Sequence, residues 1–156
     1  MSSNPPFIRI TKIFTFDMAH ALYGYDGPCK NIHGHTYVLS ITLKGKAISD
    51  AHHPKNGMVI DFTDLKKIVK ENVVDFFDHS LVLNANSPHA SLKEFSNTFE
   101  KINYVNYQPS CENLLTDILK RIEHLIPQGI TINNIKLEET PTSYAEWFAE
   151  DNKNEK

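Results

Sequence analysis

The chain has 156 residues, of which 40% are hydrophobic, so its length and composition fit a single domain (1–156) with an apolar core. A net charge of −3 and a pI near 6.2 provide no basic surface for nucleic acid, and no apolar run has the length of a membrane span. Residues 1–6 lack the pattern of a secretory signal. We therefore expect a cytoplasmic protein in which Cys29 and Cys111 stay reduced.

The spacing of apolar residues predicts strands where polar and apolar residues alternate, and helices where apolar residues recur every three or four positions. The predicted elements are, in order, strands at 7–16 and 35–44, an extended segment at 58–62, a helix from the N-cap Thr63 to about Phe77, a helix from Ser110 or Cys111 to Pro127, and strands at 130–137 and 144–148.

Loops and tails separate these elements. Glycines and a proline mark 21–32 as a loop, and 84–111 is predicted to be a loop with one helical turn. Residues 1–6 and 150–156 are predicted to be flexible tails. The order strand-strand-helix-helix-strand-strand predicts an α+β domain, with an antiparallel four-stranded sheet and two helices on one face.

A candidate metal site lies at the start of the second predicted strand. His33 and His35 are two residues apart, so both side chains point to the same face of a strand. His20 ends the first strand and can complete a set of three imidazoles. Three histidines with an open fourth position are typical of catalytic zinc, although imidazole suits other transition metals as well. The alternative is that three partly exposed histidines cluster without a metal.

Two further segments carry candidate acid/base groups. Cys29 lies beside Lys30 and near the histidines, where a cation and a metal favour the thiolate. A structural or metal-ligating cysteine is the alternative. Asp78 can orient His79 for proton transfer if a turn brings the two side chains together. Otherwise Asp78 ends the helix and His79 caps it.

Carboxylates that could bind a ligand occur near the end of the chain. A carboxylate accepts two hydrogen bonds from a guanidine-like N–C–N edge. Glu112, Glu138 and Glu139 are the candidates. Glu112 can instead stabilise the start of a helix by its charge. Strand alternation allows only one of Glu138 and Glu139 to face a pocket.

Together these segments resemble the 6-pyruvoyltetrahydropterin synthase / 6-carboxytetrahydropterin synthase family. The resemblance runs from the first strand to Trp147, and it is poorest at 85–108, which looks like an insertion. The matching motifs are Phe16-Asp-Met-Ala-His20, Cys29-x3-His33-Gly-His35, Asp61-Phe62, Asp78-His79 with Asn84, Pro109-Ser-Cys-Glu-Asn113 and Glu139-Thr-Pro-Thr-Ser-Tyr-Ala-Glu146.

The resemblance implies a tunnelling fold, whose units join edge to edge, usually as a hexamer built from two trimers. It also implies a role for each candidate residue. His20, His33 and His35 would bind zinc, Cys29 would be the base, Asp78 and His79 would form a second acid/base pair across a subunit interface, Glu139 would hold the pterin, and Glu112 would help to shape that pocket.

The implied reaction starts from 7,8-dihydroneopterin triphosphate. The ending Glu139–Glu146 resembles the carboxy-forming branch, which yields 6-carboxy-5,6,7,8-tetrahydropterin, acetaldehyde and triphosphate for queuosine biosynthesis. The pyruvoyl-forming branch, which keeps the side chain, is the alternative. Many relatives have a basic residue where this chain has Ala21, and Lys30 and Arg9 are candidates for holding the triphosphate instead. A non-catalytic metal- or pterin-binding module, or a purely structural zinc site, would also fit these residues.

Overall fold

The computed structural model describes residues 5–153, which form a mixed sheet with the main helices packed against one face. The strands are β1 (Phe7–His20), β2 (His33–Lys46), β3 (Ser80–Asn84), β4 (Ile102–Val105), β5 (Thr131–Thr140) and β6 (Ser143–Phe148). The α-helices are α1 (Phe62–Val69), α2 (Asp75–Phe77), α3 (Lys93–Thr98) and α4 (Cys111–Ile122). A π-helical segment at Lys70–Val74 joins α1 to α2, and 3-10 turns lie at Pro28–Lys30, Pro88–Ser91 and Glu123–Leu125.

The sheet has the strand order β4-β3-β1-β2-β5-β6. β1 and β2 form a long antiparallel hairpin whose register runs from Phe7 opposite Lys46 to His20 opposite His33. β5 and β6 continue the antiparallel pairing on one side. β3 and β4 are parallel to β1 and to each other on the other side. The hairpin therefore fixes which residues at its closed end face each other.

The predicted α+β class with two main helices on one face is confirmed, but the predicted four-stranded antiparallel sheet is wrong in its strand count. Within residues 5–153 the sheet has six strands, and it is mixed. β3 is too short and too uniformly buried to show alternation, and β4 has only four residues. The segment 58–62 is not a strand, and Asp61 rather than Thr63 caps α1 by accepting from the Thr63 N–H.

The core lies between the sheet and the helical layer. Phe16, Tyr37 and Leu39 lie on one sheet face, and Phe77 and Ile118 pack onto it from α2 and α4. Burial of such side chains stabilises a fold by roughly 1.5–3 kcal/mol each. From Phe7 to Asp17 the odd-numbered residues of β1 remain exposed, including Phe7 and Ile13 at about three-fifths of their surface. None of the described helices is both long and apolar enough to span a membrane.

Candidate metal centre and active site

The three histidines meet where the β1–β2 hairpin closes. His20 lies directly opposite His33, and Met18 lies opposite His35. By strand alternation His33 and His35 share one face, and it is the face that carries Tyr37 and the core. The candidate ligand atoms of the three histidines all lie within 4.8 Å of one another. The structure thus brings together the three histidines that the spacing predicted, and the cluster could hold a metal ion.

The hydrogen bonds of the three rings suit metal binding. Nδ1 of His20 bonds to the Pro109 carbonyl at 2.7 Å, and Nδ1 of His33 bonds to the Asn31 carbonyl at 2.8 Å. In such bonds Nδ1–H donates to the carbonyl, which fixes the tautomer and leaves the lone pair of Nε2 free to bind a metal. Nε2 of His20 and Nε2 of His33 are 3.1 Å apart, and Nε2 of His35 is buried without a hydrogen-bond partner. The donor set therefore fits an imidazole-bound metal.

Burial of His20 also favours metal binding. Its side chain is only 1% exposed. Burial is the largest cause that holds the pKa of His20 below its usual value, although the Pro109 hydrogen bond and Glu139 act in the opposite direction. A neutral imidazole is the form that binds metals.

Glu139 lies against the histidine cluster. Its Oε1 atom is 3.6 Å from Nε2 of His20 and 3.8 Å from Nε2 of His35, and it accepts a hydrogen bond from the Tyr37 hydroxyl at 3.2 Å. Burial, and then Glu139, raises the pKa of Tyr37, so this hydroxyl stays protonated and donates. Glu138, in contrast, pairs with Lys136 at 2.8 Å. Of the two neighbouring carboxylates, only Glu139 is in contact with the cluster.

Cys29 lies on the 3-10 turn Pro28–Lys30, between β1 and β2. The turn is tied to the end of β1 because the Leu22 N–H donates to the Cys29 carbonyl at 2.9 Å. The residue is half-buried and forms no disulfide. Burial, Glu139 and Cys111 raise the pKa of Tyr37, and Cys29 is a further cause. The Cys29 thiol is therefore within electrostatic range of Tyr37.

The second thiol, Cys111, has a different environment. It begins α4, and its Sγ–H donates to the Leu137 carbonyl at 3.3 Å. Burial is the main cause that raises the pKa of Cys111 to about 11. This thiol therefore stays protonated near neutral pH, and it does not have the exposed, electropositive surroundings of a reactive cysteine.

The side chains of Asp78 and His79 are paired at the end of the first helical segment. Nδ1 of His79 is 3.0 Å from Oδ2 of Asp78, while Oδ1 of Asp78 accepts from the Asp17 N–H at 3.0 Å. His79 has a φ of 56°, a left-handed conformation that is uncommon outside glycine. This turn lets the two sequence neighbours pair. Asp78, rather than His79, caps the helix, and its side chain is in contact with the His79 ring.

The Asp78–His79 pair and the histidine cluster lie on different sides of the sheet. The Thr36 hydroxyl donates to the Asp17 carboxylate, so both side chains share a face. Asp17 is an odd number of positions from His20 on β1, and Thr36 directly follows His35 on β2. By strand alternation, Asp17 and Thr36 therefore point to the face opposite the histidines. His79, Asp17 and Thr36 line a groove of about 1020 Å³, which His35 also borders. Within residues 5–153, no hydrogen bond, ion pair or ring contact joins the pair to the three histidines.

Comparison with known proteins identifies the family. The model of the 6-pyruvoyl tetrahydropterin synthase family matches residues 9–150. The chain belongs to this family. It is 37% identical over 143 residues to 6-carboxy-5,6,7,8-tetrahydropterin synthase of Haemophilus influenzae, covering 89% of this chain and 97% of that protein. It is 30% identical over 124 residues to 6-pyruvoyl tetrahydrobiopterin synthase of Dictyostelium discoideum, covering 71% and 86%.

Solved structures show the same fold. An uncharacterized protein from Wolinella succinogenes has a TM-score of 0.75 at 18% identity, covering 92% of this chain and 99% of its own. 6-Pyruvoyl tetrahydropterin synthase of Caenorhabditis elegans has a TM-score of 0.65 at 24% identity, covering 93% and 97%. The predicted family and its tunnelling fold are therefore confirmed.

One predicted site residue lies apart from the others. Glu112 is exposed in the first turn of α4, where its negative charge interacts favourably with the helix dipole. No side-chain contact in the described part of the chain joins it to the histidines.

Tyr37, in contrast, was missed by the sequence analysis. It lies two residues after His35, so the alternation that paired His33 with His35 also predicts that Tyr37 shares their face.

The hydrogen bonds to Asp78 predict a pH effect on stability in this member of the synthase family. The hydrogen bond from the Asp17 N–H is the largest cause that lowers the pKa of Asp78, and the hydrogen bond with His79 is the next cause that lowers it. A lowered folded-state pKa adds stability above the unfolded-state pKa, and this stability is lost as the pH falls through the folded-state value. Asp78→Asn should therefore destabilise the metal-free protein near pH 6 but much less near pH 3. Urea denaturation at both pH values measures this, and an equal loss at both would contradict it.

Proposed function

We propose that this chain catalyses the zinc-dependent conversion of 7,8-dihydroneopterin triphosphate to 6-carboxy-5,6,7,8-tetrahydropterin, with release of acetaldehyde and triphosphate, as a step of queuosine biosynthesis. The observation that carries this proposal is the convergence of His20, His33 and His35 beside Glu139, in a chain 37% identical to a named synthase of this type. The Rickettsia bellii relative of the same name, 34% identical over 141 residues, supports it as well.

Zinc is the metal we propose for the three histidines. The set of three imidazole nitrogens with room for a further ligand is typical of catalytic zinc. A bound zinc ion would supply the positive charge that lowers the energy of an alkoxide developing on the substrate side chain. The carbonyls of Pro109 and Asn31 orient His20 and His33 for this role.

Cys29 and Glu139 would act on the substrate from the same side of the sheet. We assign Cys29 as the base that removes a carbon-bound proton, which its half-buried place at the end of the hairpin supports. Glu139 would accept two hydrogen bonds from the amino-pyrimidine edge of the pterin, with Tyr37 holding the carboxylate in place. Glu112 would act at the margin of this pocket. Its side chain is exposed in the first turn of α4.

The second acid/base pair would come from another copy of the chain. Asp78 and His79 are on the face opposite to the histidine cluster, and no contact within residues 5–153 of one chain joins the two groups. Within the sheet that residues 5–153 form, β4 and β6 are the edge strands, and their outer edges can pair with other strands. We therefore propose a homo-oligomer, a hexamer of two trimers, in which Asp78 orients His79 of one copy toward the Cys29 of another.

Mixing two inactive variants tests this shared site. Cys29→Ala keeps the Asp78–His79 pair, and His79→Ala keeps the thiol. After subunit exchange at equal amounts, about one quarter of the sites in a symmetric oligomer receive both intact halves. We expect the mixture to regain activity of about that fraction, measured as acetaldehyde release. A mixture as inactive as its two parts would contradict a site shared between subunits.

A second function, that of a non-catalytic metal- or pterin-binding module, is favoured by one observation. Ala21, where many relatives have a basic residue, is 1% exposed and packs with Leu81 and Leu83, so it offers nothing to a triphosphate. Of the other candidates, Arg9 bonds to Asn133 at 2.8 Å, while Lys30 lies on the turn that carries Cys29. Lys30 is therefore the better candidate for binding the triphosphate.

Turnover separates the enzyme from the binding module. Purified protein loaded with zinc is incubated with 7,8-dihydroneopterin triphosphate, and acetaldehyde is followed by a coupled alcohol dehydrogenase assay. We expect many equivalents of acetaldehyde per chain. Binding of the substrate without release of either acetaldehyde or triphosphate would favour the binding module.

We also propose a reducing, cytoplasmic location, which the two free thiols Cys29 and Cys111 support.

A further inference from the structure

The end of α2 is held by a lysine from a distant segment. The last carbonyls of a helix have no partner within the helix. Nζ of Lys101 donates to the Asp75 carbonyl at 2.8 Å and to the Asp78 carbonyl at 2.6 Å. A cation at a helix C-terminus also interacts favourably with the helix dipole. One ammonium group thus bridges the last helical turn and the residue just before His79.

The two carbonyls between these positions have partners as well. Nδ2 of Asn103 donates to the Phe76 carbonyl, and the Ser80 hydroxyl donates to the Phe77 carbonyl at 2.6 Å. All four carbonyls from residue 75 to residue 78 therefore accept side-chain hydrogen bonds. Such complete satisfaction restricts the backbone that leads into His79.

Lys101 and Asn103 belong to the segment 85–108, whose resemblance to the family is poorest. Lys101 precedes β4, and Asn103 lies within it. The backbone of Lys101 is anchored independently of its side chain, because its carbonyl accepts from the Leu81 N–H at 3.0 Å. A change of the Lys101 side chain can therefore release the contacts with α2 without detaching β4.

His79 needs such restraint because its conformation is strained. A non-glycine residue in a left-handed conformation persists only where the surroundings fix it. The His79 N–H donates to the Asp17 carbonyl at 2.7 Å, and Asp78 bridges Asp17 and the His79 ring. Lys101 holds the backbone on the other side of this pair. Its charge is also among the causes that lower the pKa of Asp78, after the Asp17 N–H and His79.

We propose that Lys101 is a positioning residue for catalysis, which clamps the end of α2 so that Asp78 and His79 keep the orientation needed for proton transfer. This inference rests on the proposed function, in which His79 moves a proton. It gives the segment 85–108 a role in the reaction, although none of its residues needs to touch the substrate.

Three variants test the clamp. Lys101→Met removes the charge and keeps most of the length, and Lys101→Arg restores a cation and several donors. Lys93→Met is the matched control, because Lys93 is exposed in the same segment and its one described hydrogen bond, from the Ser96 hydroxyl, is to its backbone carbonyl. We expect Lys101→Met to lower kcat about 10- to 100-fold, the range for loss of an outer-shell partner, with KM changed less than about threefold. Lys101→Arg should recover most of kcat, and Lys93→Met should resemble the parent protein.

A second measurement does not depend on the reaction. We expect hydrogen exchange of the His79 amide, which donates to Asp17, to be faster in Lys101→Met than in Lys93→Met, while the zinc content stays the same. If kcat and His79 exchange in Lys101→Met both match the control, the clamp is refuted. If the parent protein shows no turnover, the proposed function fails, and exchange alone then decides whether Lys101 holds His79. A lower thermal stability with unchanged kcat would make the role structural and would overturn the proposal.

Discussion

Replacement of Cys29 by alanine is expected to lower kcat by about 10²- to 10⁴-fold, the range for loss of a positioned general base. The protein should keep its metal, because the thiol is not one of the clustered ligand atoms of His20, His33 and His35. Metal analysis and acetaldehyde release on the same sample separate the two effects. A loss of activity with full metal content would mark the thiol as the reactive group and the histidines as its support.

Cys111→Ala is the matched control for this change. Both variants lose one half-buried thiol, but burial raises the pKa of the Cys111 thiol to about 11, and the group donates to a carbonyl. We expect activity within about threefold of the parent protein, since no reacting group is removed. If Cys29→Ala were as active as Cys111→Ala, the assignment of Cys29 as the base would be wrong, and the binding module would gain support.

Loss of a histidine from the cluster should have an effect of similar size on metal binding. His35→Ala is the cleanest choice, because Nε2 of His35 is buried and makes no hydrogen bond that the variant would break. Changes in outer-shell partners already lower metal affinity by 10- to 100-fold, so removal of a ligand should cost more than about 100-fold. Zinc titration with a competing chelator measures the affinity, and turnover should fall with metal content.

His124→Ala provides the control for this variant, since His124 is exposed on the 3-10 turn after α4 and away from the cluster. It should bind zinc like the parent protein. Removal of the metal by a chelator should abolish activity and leave the circular dichroism spectrum unchanged, because a core of buried side chains holds the fold. Unfolding on chelation would instead make the zinc site structural.

The closed end of the β1–β2 hairpin was predictable because its pattern is local. The two-residue spacing of His33 and His35 and the position of His20 at a strand end were enough to place the three rings together. The same rule would have found Tyr37, had it been applied one step further along β2. β5 has two changes of register, one against β2 and one against β6 between Glu138 and Thr140, and Glu139 still lies next to the histidines.

The part of the sheet that β3 and β4 form was not predictable in the same way. β3 and β4 are short and parallel, and their pairing depends on contacts far apart in the sequence, such as Leu81 with Ile102. The place of Asp78 and His79 depends on a left-handed turn and on hydrogen bonds from Asp17 and Lys101. No local pattern reports such contacts, so their position on the opposite face required the three-dimensional structure.

The exact mass of the pterin product tests the proposed function most directly. The zinc-loaded protein is incubated with 7,8-dihydroneopterin triphosphate under anaerobic conditions, and the products are separated and weighed by mass spectrometry. We expect 6-carboxy-5,6,7,8-tetrahydropterin together with one equivalent each of acetaldehyde and triphosphate. A product that retains the three-carbon side chain, with triphosphate released and no acetaldehyde, would contradict this assignment and identify the pyruvoyl-forming reaction instead.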